Sequence, residues 1–233
     1  MNTLPDDRYQ QILDAAADLI IRQGYDKTSI VDVAQEVGVS RGTVYLHFAN
    51  KERLFEALIL RESTLYIEAW LRYVETNDEV ASMGAIYRAV LHAVNSRPFM
   101  AAMMKRDRRI AGSYFRKPNT LFRALETVSP WGNLLSTLQD VGAVRQDIDP
   151  VIMTHIMELL SYGLVSVDQF KPSSDTPPFD TTIQAIANML DCALTPPDGG
   201  NRAAGREVIR GLVVTYRDRF ESLKQQWAEA TRL

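Results

Sequence analysis

A chain of 233 residues with one cysteine, Cys192, has no internal disulfide to form and is long enough to bury a core without a structural metal. Its 26 Lys and Arg against 29 Asp and Glu leave a net charge of −3, so overall charge offers no support for a nucleic-acid partner, which needs only a local basic face. No apolar run reaches the roughly 18 to 20 residues of a membrane helix, and "MNTLPDDRYQQ" has no signal-like apolar centre, so a soluble, cytoplasmic protein is expected.

Helical periodicity runs through the whole chain. Ile12, Ala16, Leu19 and Ile20 mark a first helix over about 8–23, closed by Gly24 in a position suited to a left-handed C-cap. Thr28 is the expected cap of a short second helix whose inward face is Ile30, Val33, Ala34 and Val37, and Gly38 stops it. Ser40 is the expected N-cap of a third, very short helix, "RGTVYLHF", and Asn50 that of a long fourth one beginning "KERLFEAL". Beyond residue 77 the helices are expected at about 79–95, 98–111, 118–141, 149–170, 179–194 and 203–231, separated by Pro- and Gly-containing breaks. With no alternating strand and no internal repeat, the fold class is all-α.

"GVSRG", Gly38 to Gly42, matches the G-x-S-x-G elbow that presents a hydrolase serine. That elbow follows a buried strand, whereas "SIVDVAQEV" carries a helical stripe, and His47, His92 and His155 offer no distinguished triad partner. A hydrolase acting through Ser40 is therefore the unfavoured alternative, and no enzyme activity is expected.

The third helix is unusual on its outer side. At about 100° per residue, Val44 and Phe48 share one face and belong inside, while Gly42 and Leu46 lie opposite, flanked by Thr43, Tyr45 and His47, with Arg41 at the start. A face with glycine, an unprotected leucine and no acid suits a DNA major groove. There glycine allows close approach, Arg41 suits a guanine edge, and Thr43 and Leu46 suit a thymine methyl. Tyr45, His47, Thr28 and Lys51 are placed for phosphates, the last two at helix N-termini. Tyr45 and His47 have the alternative of packing on neighbouring helices. Between Arg22 and Arg53 the cations Arg22, Lys27, Arg41, Lys51 and Arg53 outnumber Asp26, Asp32, Glu36 and Glu52 by one.

"KTSIVDVAQEVGVSRGTVYLHFANKERLFEAL", Lys27 to Leu58, resembles the helix-turn-helix signature of the TetR family of bacterial transcriptional regulators at its threonine, its "GVS", its "GT-Y-HF" and its "KE-L". The resemblance implies a three-helix DNA-binding domain over residues 1–50. A linking helix would join it to a larger helical domain over 51–233 that dimerises and binds an effector. By position it implies base-reading roles for Arg41, Gly42, Thr43 and Leu46, and phosphate contacts from Thr28, Ser40, Tyr45, His47 and Lys51. Arg53 departs from the usual acidic or small residue after "KE". "GAVRQDIDP", Gly142 to Pro150, resembles the turn before the family's dimerisation helices, here 149–170 and 179–194. The implied partners are a palindromic double-stranded operator, a second copy of the chain and a small-molecule effector, with no membrane.

The tail adds a helix with Ile209, Val213, Tyr216, Phe220, Leu223 and Trp227 at heptad steps. It either pairs with its copy or folds back over the large domain, and its bulky aromatic residues favour folding back. For the effector, Trp70, Tyr73, Met100, Met103, Met104, Phe122, Trp131, Met153, Met157 and Tyr162 supply an apolar, adaptable lining, each with plain core packing as its alternative. His155 and Glu158 are suited to a ligand's polar end. Without a second carboxylate or histidine cluster they are not a metal site, and no cofactor is expected. "KRDRR", Lys105 to Arg109, is most simply a solvated face. The expected function is a ligand-responsive transcriptional regulator, a repressor released by a largely apolar effector. The alternative within this class is a regulator whose large domain binds a protein partner.

Overall fold

Glycines, caps and apolar stripes divide the chain into helices joined by short turns. The computed structural model describes residues 5–76, 82–105, 107–117, 120–121, 133–167 and 171–230, and these contain helices and turns with no strand. Two compact units emerge: Met1–Leu65 with Arg97–Thr127, and Tyr66–Ser96 with Val128–Leu233.

The first unit begins with α1 (Pro5–Gln23), α2 (Ile30–Val37) and α3 (Arg41–His47), followed by α4 (Lys51–Thr76), which carries the chain into the second unit. Ile12, Leu13, Ala16, Val33, Val44 and Phe55 are buried together in its core. Gly24 ends α1 with φ at +87°, and a Cβ at this position would run into the Arg109 carbonyl, so both backbone conformation and space require glycine. The N-cap of α2 is Ser29, not Thr28. Ser29 Oγ accepts from Asp32 N, and the Asp32 carboxylate accepts from Ser29 N at 2.8 Å, a reciprocal capping box. Thr28, only 3% exposed, instead donates its hydroxyl to the Gly24 carbonyl at 2.9 Å. Gly38 closes α2 in the left-handed region at φ +73°, and Ser40 caps α3 by accepting from Thr43 N at 3.1 Å. Asn50 Oδ1 accepts from Arg53 N at 2.9 Å and so caps α4.

The stretch expected as one helix over 98–111 is α6 (Pro98–Met104) and α7 (Arg108–Ala111), followed by a 3-10 turn, Gly112–Arg116. Asp107, accepting from Arg109 N at 2.8 Å, caps a new helix there and so divides the run. These pieces belong to the first unit and hold its N-terminal turn. The Tyr25 N–H donates to the Ile110 carbonyl at 2.7 Å.

The second unit contains α5 (Met83–Asn95), α8 (Leu134–Asp140), α9 (Pro150–Ser166), α10 (Phe179–Leu194) and α11 (Arg202–Ala230). Asp149 caps α9 by accepting from Val151 N at 2.8 Å, with Pro150 at the position where a missing N–H costs nothing. α5 and α10 pack along Gly84, whose missing side chain admits the Ala187 carbonyl and Asp191. The Asp191 carboxylate accepts from Gly84 N at 2.8 Å. α11 folds back onto its own unit, burying Ile209, Val213 and Phe220. Of the helix expected over 118–141, residues 120–121 and 133–141, which include α8, are described, and Phe122 and Trp131 lie outside the described residues. Among the described residues no helix is long and apolar enough to cross a membrane.

Candidate nucleic-acid interface

α3 separates its residues by face. Val44 is fully buried and Phe48 nearly so, Phe48 stacking on Tyr9 of α1 with ring centroids 5.0 Å apart. On the other side Leu46 is 86% exposed and Tyr45 45% exposed, with Arg41 and Gly42 also exposed. Covering a leucine side chain is worth about 1.5–3 kcal/mol, a gain that Leu46 does not take from contacts within the chain. A Cβ added at Gly42 would meet only Ser40 Oγ, at 3.6 Å, an ordinary contact, so no packing among the described residues requires glycine there. Among the described residues Arg41 and Lys27 make no ion pair, whereas Arg22 is bound to Glu36 at 2.7 Å and Arg53 to Glu56 at 2.9 Å. Free cations and an acid-free apolar ridge therefore lie on α3 and at the turn before α2.

Other residues singled out from the sequence are engaged within the protein. Ser40 holds α3 by its cap and lies 2.9 Å from the Thr43 hydroxyl. His47 is half-buried, its ring 6.1 Å from that of Tyr9. Thr28 is sealed inside the turn, so what that position offers outward is the N-terminus of α2 and not its hydroxyl. Lys51 turns inward and donates to the Tyr25 carbonyl at 2.9 Å and the Asp26 carbonyl at 3.4 Å, with its ammonium 4.3 Å from the Tyr25 ring centre. Desolvation and the nearby Lys117 pull its pKa down, and Asp26 opposes this. Burial, with Glu52 and Asp26 close by, pushes the Tyr25 phenol up to about 12. An ammonium has three N–H bonds, so these two carbonyls leave Lys51 one donor for another partner.

The effector candidates do not form one set. Trp70 is buried in the second unit, 1% exposed, and Tyr73 accepts from Arg88 at 3.0 Å. Met100 belongs to the first unit, where its sulfur accepts from the Ser63 hydroxyl at 3.9 Å. The side chain of Met104 lies outside the described residues. On α9, Met157 is buried, but His155 and Tyr162 stand in water, and Glu158, 4.0 Å from His155, is half-exposed. His155 and Tyr162 belong to an exposed ridge with Ile152, Ile156 and Leu159, spaced at three and four residues along one side of the helix. α9 is apolar nearly all round, so its pattern alone does not tell inside from outside. No group of three potential metal-ligating side chains occurs among the described residues.

A short capped helix, a left-handed glycine turn and a second short helix with an exposed outer face form a helix-turn-helix. Residues 12–58 match the family described as bacterial regulatory proteins, tetR family. The fatty acid metabolism regulator protein of Bacillus subtilis is 38% identical over 61 residues, 26% of this chain and 31% of that protein. The transcriptional regulator TtgR of Pseudomonas putida is 34% identical over 87 residues, 36% of this chain and 40% of that protein. The chain thus spans less than half the length of these curated relatives. In fold it is similar to the transcriptional regulator FadR of Bacillus subtilis, solved in complex with stearoyl-CoA. The TM-score is 0.56 at 20% identity, covering 78% of this chain and 97% of that one. Over residues 12–58 the chain thus carries the DNA-binding region of the tetR family of bacterial regulatory proteins, and Ser40, which follows the helix α2 where an elbow requires a strand, caps α3.

Proposed function

We propose that the chain is a homodimeric repressor that reads a palindromic operator and is released from it by a small, largely apolar effector. The observation that carries this reading is Leu46, 86% exposed on a helix whose outer face also holds Arg41, Gly42 and Thr43. In the groove, Arg41, Gly42, Thr43 and Leu46 meet base edges, while Ser40, Tyr45, His47 and the N–H that Lys51 keeps in reserve meet phosphates. Thr28 acts by holding the turn that aims α2 at the backbone. Residues 1–50 form the reading part and 51–233 the effector-binding and dimerising part, working in the cytoplasm where the DNA is.

The exposed ridge of α9 supports the dimer, since an apolar row of this kind on one helix is what a self-complementary two-fold interface covers. Two reading helices then face successive major grooves, and an effector releases DNA by favouring the arrangement in which both no longer fit. FadR in complex with stearoyl-CoA supports an apolar effector, with Trp70 and Tyr73 as the described residues nearest to that role. Footprinting of the DNA upstream of this protein's own gene, with and without a panel of hydrophobic small molecules, tests the reading. A two-fold-symmetric footprint that an apolar compound erases is the expected result, and no footprint at all refutes it.

A further inference from the structure

In the second unit the indole of Trp70, on α4, meets the ring of Tyr216, on α11, edge to face, with centroids 5.8 Å apart and planes at 88°. Both polar atoms are buried, and neither the indole N–H nor the phenol oxygen has a hydrogen-bond partner among the described residues. Burying a donor without a partner costs the whole of its hydration, and folded proteins pair the great majority of such groups. Two unpaired groups side by side, on helices far apart in sequence, are hard to explain as packing alone. The same two helices bury Ile67 and Val74 on α4 and Val213 and Phe220 on α11, and the polar groups that act on the Tyr216 phenol are Tyr66 and Arg219.

We propose that Trp70 and Tyr216 form the polar anchor of the effector site, donating two hydrogen bonds to one carbonyl oxygen of an otherwise apolar compound. This rests on the effector-responsive reading above and narrows it. The indole N–H is only a donor, so the ligand atom it meets is an acceptor. The carbonyl is neutral, as in a ketone, ester, amide or thioester. A buried carboxylate needs a cation beside it, and Arg219, the cation acting on Tyr216, is exposed. The tail helix α11 is thereby part of ligand recognition as well as of the core.

The test uses the full chain, with Tyr216→Phe and Trp70→Phe, and two carbonyl probes, 2-tridecanone and lauroyl-CoA. Each is compared with its analogue in which methylene replaces the carbonyl, and the two arms separate a simple ketone from a thioester source. Calorimetric titration is expected to show the carbonyl compound of at least one pair binding about tenfold more tightly than its analogue, with this preference lost in both variants. Tyr216→Phe deletes one oxygen, so it keeps the test valid where the smaller ring at position 70 loosens packing. The melting temperature of the ligand-free Tyr216→Phe chain is expected to be unchanged or higher; a clear drop means the hydroxyl has a partner within the protein and overturns the proposal. Equal binding of carbonyl and methylene probes, a preference that survives both variants, or no binding of any probe also overturns it. These outcomes leave an effector-responsive regulator standing. Carbonyl-selective binding that leaves DNA affinity unchanged keeps the site and removes the effector reading instead.

Discussion

The Asp26 carboxylate receives both the backbone N–H of Ser113, at 3.0 Å, and the Ser113 hydroxyl. The two residues are 87 positions apart, yet this contact pins the turn between α1 and α2 to the 3-10 turn that follows α7. Gly112, at φ +52°, leaves room for it, since a Cβ there would strike the same carboxylate. The position of α2, and through it α3, therefore depends on a segment from the middle of the chain within the same unit.

This contact has a pH signature. The hydrogen bonds from Ser113, the hydroxyl's first, hold the Asp26 carboxyl below its usual 3.8 against an opposing effect of burial. A depressed folded value means the stabilisation is present above about pH 3.8 and is lost as the pH falls through the lower folded value. Asp26→Asn should flatten the acid limb of a plot of melting temperature against pH, by a modest amount because the group is exposed. Identical acid limbs in the two proteins would show that the contact does not contribute.

Gly24→Ala should destabilise the chain by more than about 1 kcal/mol, because alanine resists the positive φ and its Cβ meets the Arg109 carbonyl. For a chain of this size each kcal/mol lowers the melting temperature by about 2–4 °C, which differential scanning calorimetry resolves. Gly38→Ala shares the positive φ but meets no neighbouring atom, so its cost should be smaller.

Replacing Ile152 and Leu159 together by aspartate should turn the proposed dimer into a monomer in sedimentation velocity. Both side chains are exposed in the single chain, so its helical signal in circular dichroism should not change. A double variant that still sediments as a dimer moves the interface away from α9.

The inward and outward faces of α3 were legible in the sequence because a helix of known pitch fixes the angles between Val44, Phe48 and Leu46, and the structure has them as expected. The same holds for the caps Ser40 and Asn50, each alone at the start of its helix. Thr28 and Ser29 are adjacent, and either has the chemistry to cap α2. The choice was settled by Asp32 three residues after Ser29 and by the Gly24 carbonyl waiting for the threonine hydroxyl. Lys51 could not be read, since the carbonyl that draws it inward lies 26 residues away. That His155 and Tyr162 are exposed in the single chain was not legible for a different reason: α9 has no polar face to mark which side is out. Tyr216 was legible as a seam residue but not as an unpaired donor, because its neighbour Trp70 comes from another helix.

The central claim is that α3 is the reading helix, and salt-dependent binding to the DNA upstream of this protein's own gene tests it most directly. In fluorescence anisotropy, Leu46→Ser and Arg41→Ala should each melt like the wild type, since both side chains are exposed. Arg41→Ala should lose about 1–3 kcal/mol of discrimination between operator and unrelated DNA. Tyr45→Ala should weaken binding to all sequences and make the salt slope shallower. Wild-type affinity, selectivity and salt slope in all three variants would contradict the account.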